Sequence, residues 1–170
     1  IALSACLAGE IPRMLRNGEY ENAKNYALQM QEIFGPDHFY LELQDHGIQE
    51  QAVVNRSLLR LHQETGIPMV CTNDVHYLRK EDAEAHDVLL CIQTGKLLED
   101  ENRMRYEPRN FYLRSEAEMA ELFGDYEGAM ENTAKIAEMC NLDFVFNQYH
   151  LPSFPVPEGY TNEEYFRKLC

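Results

Sequence analysis

The chain lacks several things, and each absence narrows what it can be. Its longest aliphatic and cysteine run, Val88-Leu89-Leu90-Cys91-Ile92, falls far short of the roughly 20 residues that cross a bilayer. No stretch has the layout of a secretory leader. Basic residues are scarce, with 15 Lys+Arg against 29 Asp+Glu and a formal net charge of −14. Such a surface repels phosphate on average, so any contact with DNA needs a local basic patch or a metal. Five cysteines, at positions 6, 71, 91, 140 and 170, form no CxxC and no zinc-finger spacing. Their odd number argues against a disulfide framework and for packing in a reducing, cytoplasmic compartment. Serine-hydrolase GxSxG, P-loop and dinucleotide GxGxxG fingerprints are missing, and no carboxylate pair is spaced for polymerase chemistry.

What is present is an ordinary globular composition, 45% hydrophobic over 170 residues, enough for one domain with a core of its own. Ile1-Ala2-Leu3 reads as a strand, Gly9 to Arg16 as a short helix and Glu21 to Phe34 as a longer one. In the longer helix Ala23, Tyr26, Ala27, Met30, Ile33 and Phe34 form an apolar stripe, and Gly35-Pro36 ends it. Phe39 to Gln44 reads as a strand, Glu50 to Thr65 as a helix stopped by Gly66, and Ile67 to Thr72 as a short buried strand. Glu81 to Thr94 is predicted helical with Ala85, Val88, Leu89 and Ile92 inward. Lys96 to Arg109 reads as a loop and Asn110 to Arg114 as a further strand. A helix opens with the capping box Ser115/Glu118, and another runs from Glu127 to Cys140 with Met130, Ala134 and Ala137 buried. Leu151 to Gly159, with three prolines, reads as a linker or stiff arm, followed by a second capping box at Thr161/Glu164. Alternating strands and helices predict βαβ units around a parallel sheet or barrel, with ligands at the carboxyl ends of the strands. An opening inside a strand and a close inside a helix lead us to expect a piece of a longer protein.

Candidate chemistry gathers where the third strand runs out, in Asp74-Val75-His76. Positions i and i+2 of a strand project to one face, which would set a carboxylate beside an imidazole, a pair suited to Zn or Mn. Composition alone gives about 0.3 such D-x-H tripeptides by chance, so placement at a strand end carries the argument. Cys6, just past the first strand, could join the same mouth or could simply pack. Glu42 is open between a supporting role at that mouth and a core hydrogen bond. Arg103, Arg105, Arg109 and Arg114, interleaved with Tyr106, Phe111 and Tyr112, form a weak candidate for nucleic-acid contact. The competing explanation is that they pair with acidic helices. Ser115 to Phe144 holds eight carboxylates and one lysine, a face that would repel a nucleic-acid backbone.

Several segments resemble the bacterial C-family replicative polymerases, the DNA polymerase III alpha subunits. These are Cys6-Leu7-Ala8-Gly9-Glu10-Ile11-Pro12, Phe39 to Gln44 with His46-Gly47-Ile48, Thr72 to Leu78, and Ala85 to Lys96. Phe111-Tyr112-Leu113, His150-Leu151-Pro152 and Phe154 to Gly159 complete the set. The resemblance covers essentially the whole chain. It implies an α/β fold, the partial distorted (β/α) barrel of a PHP (polymerase and histidinol phosphatase) domain, followed by helices and a proline-rich arm. Residues 1–140 would be the C-terminal part of the PHP domain, and 141–170 a linker and the start of the polymerase core on its palm side. Cys6, Asp74 and His76 match metal-ligand positions of that family, which implies Zn or Mn here and Mg in a polymerase core outside this chain. The resemblance further implies DNA, the remainder of the alpha subunit, a proofreading exonuclease subunit and a sliding clamp as partners, in a bacterial cytoplasm with no membrane role. Two functions follow from it, 3′–5′ exonucleolytic proofreading at a metal site or a non-catalytic scaffold that docks a separate exonuclease. A free-standing phosphatase fits less well with the proline arm and the capped helix after it.

Overall fold

A computed structural model describes residues 1–170. The chain divides into two compact units, Ile1–Cys140 and Asn141–Cys170.

The first unit is built on three short parallel strands, β1 (Ala2–Leu3), β2 (Phe39–Leu43) and β3 (Met69–Cys71), in the order β1-β2-β3. Register pairs Leu3 with Tyr40 and Leu43 with Cys71. A strand flanked on both sides must present apolar groups to both faces. The central strand obeys: Phe39, Tyr40, Leu41 and Leu43 are buried, and only Glu42 is half-buried. The crossovers are α1 (Glu10–Arg16) with α2 (Tyr20–Phe34), then α3 (Gln49–Thr65). Ile11 and Leu15 of α1, Ala23 and Ala27 of α2, and Val54, Leu58 and Leu61 of α3 close over the sheet in one core. Gly66 ends α3 in the left-handed conformation, and its N–H donates to the His62 carbonyl. The three strands form an open sheet and do not close into a barrel within this chain.

After β3 come a single 3-10 turn (Lys80–Asp82), α4 (Ala83–Thr94), α5 (Glu116–Phe123) and α6 (Glu131–Met139). Ser115 caps α5 through the expected reciprocal box with Glu118. α6 begins at Glu131 rather than Glu127, because the turn before it has another task. There the Ala129 carbonyl accepts the Cys71 N–H at 3.1 Å, and Asn132 Nδ2 donates to the Met69 carbonyl at 2.7 Å. The outer edge of β3 is thereby closed by side chain and turn instead of a fourth strand. Asn132 is the buried residue of α6, while Ala134 and Ala137, expected inward, are exposed.

Three other expectations are corrected. Ile33 and Phe34 are exposed, so the stripe of α2 is fully buried only at Ala23 and Ala27. The segment 110–114 makes one bridge, Tyr77 with Tyr112, and no full strand. In α4 the buried residues are Ala83, Leu90 and Cys91, and the stripe of Ala85, Val88, Leu89 and Ile92 faces outward. That helix is apolar on both sides, and periodicity alone cannot choose between two apolar faces.

In the second unit α7 (Asn162–Leu169) starts at Thr161, whose hydroxyl accepts the Glu164 N–H while the Glu164 carboxylate accepts the Thr161 N–H. Residues 151–157 carry no helix or strand. Tyr165 stacks on Phe154, with ring centres 6.2 Å apart. No helix of the chain is long and apolar enough to cross a membrane.

Asn132→Ala would leave the buried Met69 carbonyl without its donor. Urea denaturation should show a loss of about 1–3 kcal/mol, and an unchanged midpoint would show that the turn alone seals the edge.

Candidate functional site

All three strands point their carboxyl ends the same way, and the chain spends its polar side chains there. β1 ends because Ala5 turns into the left-handed region at φ 64°. The next rung is then supplied by a side chain, as Ser4 Oγ accepts the Glu42 N–H at 2.8 Å. The following loop packs so closely that a Cβ on Gly9 would stand 2.6 Å from the Ser4 carbonyl oxygen. Cys6, half-buried, lines a narrow cavity with Glu42, Gln44, Gln51 and Asn55. The Glu42 carboxylate accepts the Thr72 hydroxyl at 2.5 Å and Gln44 Nε2 at 3.1 Å. Its role is a hydrogen bond that ties β2 to the end of β3.

Beyond β3 the geometry departs from the i, i+2 expectation. Asp74 sits at φ 43°, outside extended backbone, so Asp74 and His76 do not share a strand face. Non-glycine residues in this region carry strain, and Ala5 and Asp74 place it directly after two strands. His76 is exposed, and its Nδ1 lies 2.7 Å from the Asp74 carbonyl oxygen. An Nδ1–H donated to that carbonyl leaves Nε2 with the lone pair that a metal needs. The His76 ring lies edge-on to His86, with centres 5.6 Å apart, and 4.4 Å from Tyr106. Burial, with the neighbouring His76 second, lowers the pKa of His86. Cys6 lines its cavity with other residues, and no three His, Cys, Asp or Glu side chains anywhere in the chain gather as a cation-binding group. The donors of this chain therefore do not by themselves fit a divalent metal.

A buried network holds the loops in place. His46, completely inaccessible, stacks on Phe111 with ring centres 3.9 Å apart. Its Nε2 lies 2.9 Å from the Asn73 carbonyl oxygen, and Gln51 Nε2 is 2.8 Å from its Nδ1. Gln51 Oε1 in turn accepts the His46 N–H at 2.8 Å. Arg114 Nη1 donates to the Asp45 carbonyl at 2.6 Å and to Asn73 Oδ1 at 3.1 Å. Asn110 Nδ2 donates to the His46 carbonyl at 2.9 Å, and Asn73 Nδ2 to the Tyr112 carbonyl. Desolvation depresses the pKa of His46, keeping it a neutral imidazole. Of these residues only His46 and Arg114 stand out in the sequence. The amides Gln51, Asn73 and Asn110 give no signal beyond their nearness to strand ends and to Gly47 and Pro108.

The four arginines are largely committed. Arg103, with its side chain only 4% exposed, grips Asp87 with two nitrogens at 2.5 and 2.7 Å, and this holds the Asp87 carboxyl below its usual range. Arg114 belongs to the buried network. Arg105 donates to the Asp100 carbonyl at 3.2 Å. Arg109 stands 3.8 Å from Glu84 and 3.6 Å from Glu107, largely in solvent. The set is therefore not an open phosphate-binding stripe. On α5 the Tyr112 hydroxyl, then Ser115, holds Glu118 at about 2.

A histidine whose folded pKa lies below its free value binds fewer protons than the unfolded chain does. Stability then rises with pH up to the free value of 6.5 and falls as pH drops below it. His86 acts in the same direction. Denaturation between about pH 5 and 7.5 should show this slope. His46→Gln should reduce the slope and cost about 1–3 kcal/mol at neutral pH, and an undiminished slope would assign the effect elsewhere.

Comparison with known proteins shows what this sequence is similar to. A PHP domain profile matches residues 1–46, the segment holding β1, β2 and His46. DNA polymerase III subunit alpha of Borreliella burgdorferi is 45% identical over 99% of this chain and 15% of its own length. The subunits of Treponema pallidum and Thermus aquaticus are 40% and 41% identical over 98% and 99% of the chain, each over 14% of its own length. The chain thus spans about 15% of the length of the curated relatives it matches. With that identity held from end to end, the chain belongs, as one segment, to the DNA polymerase III subunit alpha family.

Proposed function

We propose that this chain is a scaffold segment of a DNA-directed DNA polymerase, with residues 1–140 the later part of its PHP domain and 141–170 the lead into the polymerase core. Nucleotidyl transfer to DNA, with its Mg-dependent aspartates, is the work of segments outside this chain. The observation that carries the scaffold reading is the network of His46, Asn73 and Arg114, which spends the polar groups of the strand ends on one another. A hydrolytic site at that mouth would need polar groups free to meet a substrate. Cys6, Asp74 and His76 could take part in a Zn or Mn site only with donors that this chain does not bring together. Proofreading at 3′ ends is therefore assigned to a separate exonuclease subunit. Its docking surface is the acidic face of α5 and α6, where Glu116, Glu121, Glu131 and Glu138 are exposed. The same replicase would bring DNA and the sliding clamp to other parts of the subunit.

In the intact subunit, Asp74→Asn and His76→Ala should leave 3′–5′ degradation of DNA unchanged. Arg114→Ala should shorten the thermal half-life of polymerase activity by freeing three loops at once. Loss of 3′ degradation in His76→Ala with polymerase activity retained would overturn the scaffold reading in favour of a proofreading site. Glu121→Lys with Glu138→Lys should weaken co-purification of the exonuclease subunit at low salt, and undiminished binding would remove that face as the dock.

A further inference from the structure

Within Ile1–Cys140, the outward stripe of α4 is an apolar helix face turned to solvent. Ile92 is 74% exposed, Leu89 61% and Val88 42%, and Leu97 and Leu98 continue the apolar surface just past the helix. Positions 85, 88, 89 and 92 share one helical face, and none of them is charged. The opposite side of the helix is buried at Ala83, Leu90 and Cys91. A helix apolar on both sides is stable in water only when both sides are covered.

The patch is also held in shape. Gly95 ends α4 in the left-handed conformation, and the Lys96 N–H donates to the Cys91 carbonyl at 2.9 Å. Arg103 reaches back with its fork on Asp87 and its Nε on the Leu98 carbonyl at 3.3 Å. This ion pair, its Arg103 side chain only 4% exposed, fastens the loop that carries Leu97 and Leu98 to the helix that carries Ile92. A surface fastened in advance loses little entropy when it is covered.

We infer that the α4 face is a permanent interface, covered by an uncharged aliphatic surface from the remainder of the same polymerase subunit. Composition favours this occupant. Dissociable partners meet through surfaces about as polar as the rest of a protein, whereas obligate contacts resemble a core cut in half. The stripe has no charged rim residue between Val88 and Ile92. The relatives supply the missing material, since about 85% of their length lies outside the part this chain matches. The inference rests on the polymerase-subunit reading but not on the strand-end mouth, so the fate of 3′ ends in the variants above does not bear on it.

The test is thiol labelling of Ile92→Cys with a maleimide in the purified intact subunit, against the parent protein as background. The native subunit should label about tenfold or more slowly than the same variant unfolded in urea. Equal rates would overturn the inference. So would protection that appears only on adding another subunit, or only at concentrations where the subunit self-associates. Ile92→Ala gives a second reading that tolerates a well-folded variant. It should lower the melting temperature of the intact subunit, whereas on an uncovered face truncating this side chain would leave the temperature unchanged.

Discussion

Backbone groups that leave a strand have lost their ladder partners, and in a water-free interior each must find another or cost the fold dearly. Here the need is met around one inaccessible imidazole. His46 reaches the carbonyl of Asn73, Gln51 holds both the ring and the backbone N–H of His46, and Asn110 takes its carbonyl. Arg114 then spans from Asp45 to Asn73. The loops after β2 and β3 and the segment 110–114 are thereby one body, and the placement of Asp74, His76 and Arg114 follows from it. A neutral ring is required because a charged one would be unpaired in that interior, which links the integrity of the mouth to proton concentration.

Charge is distributed with the same economy. The acidic excess leaves few cations, and those in the arginine-rich loop are used chiefly to hold that loop against its own protein, through Asp87, Asn73 and main-chain carbonyls. A guanidinium suits this work because its planar fork serves two acceptors at fixed angles. What remains for the outside is a carboxylate-rich pair of helices and an aliphatic helix face, two surfaces that select opposite kinds of neighbour.

The strands, the crossover helices and both capping boxes are legible in the sequence because each depends on local rules: alternation or burial of a short run, a serine or threonine three places before a glutamate, a glycine at a helix end. The departures have particular causes. The α4 stripe faces outward because Leu90 and Cys91 make its other side as apolar as the first. The start of α6 moves because Ala129 is needed on Cys71. The pairing of Asp74 with His76 fails because a single left-handed residue breaks the period of two on which it rests. The amide side chains that organise the mouth carry no pattern at all, since their partners lie up to 64 residues away in sequence.

One feature of the sheet sets a direction. β3 is sealed along its outer edge by Ala129 and Asn132, while nothing is paired with the far side of β1, where Ala2, Leu3, Tyr26, Met30 and Phe34 line an open apolar groove. Main-chain recruitment is therefore one-sided: any additional β-segment can enlist only beside β1.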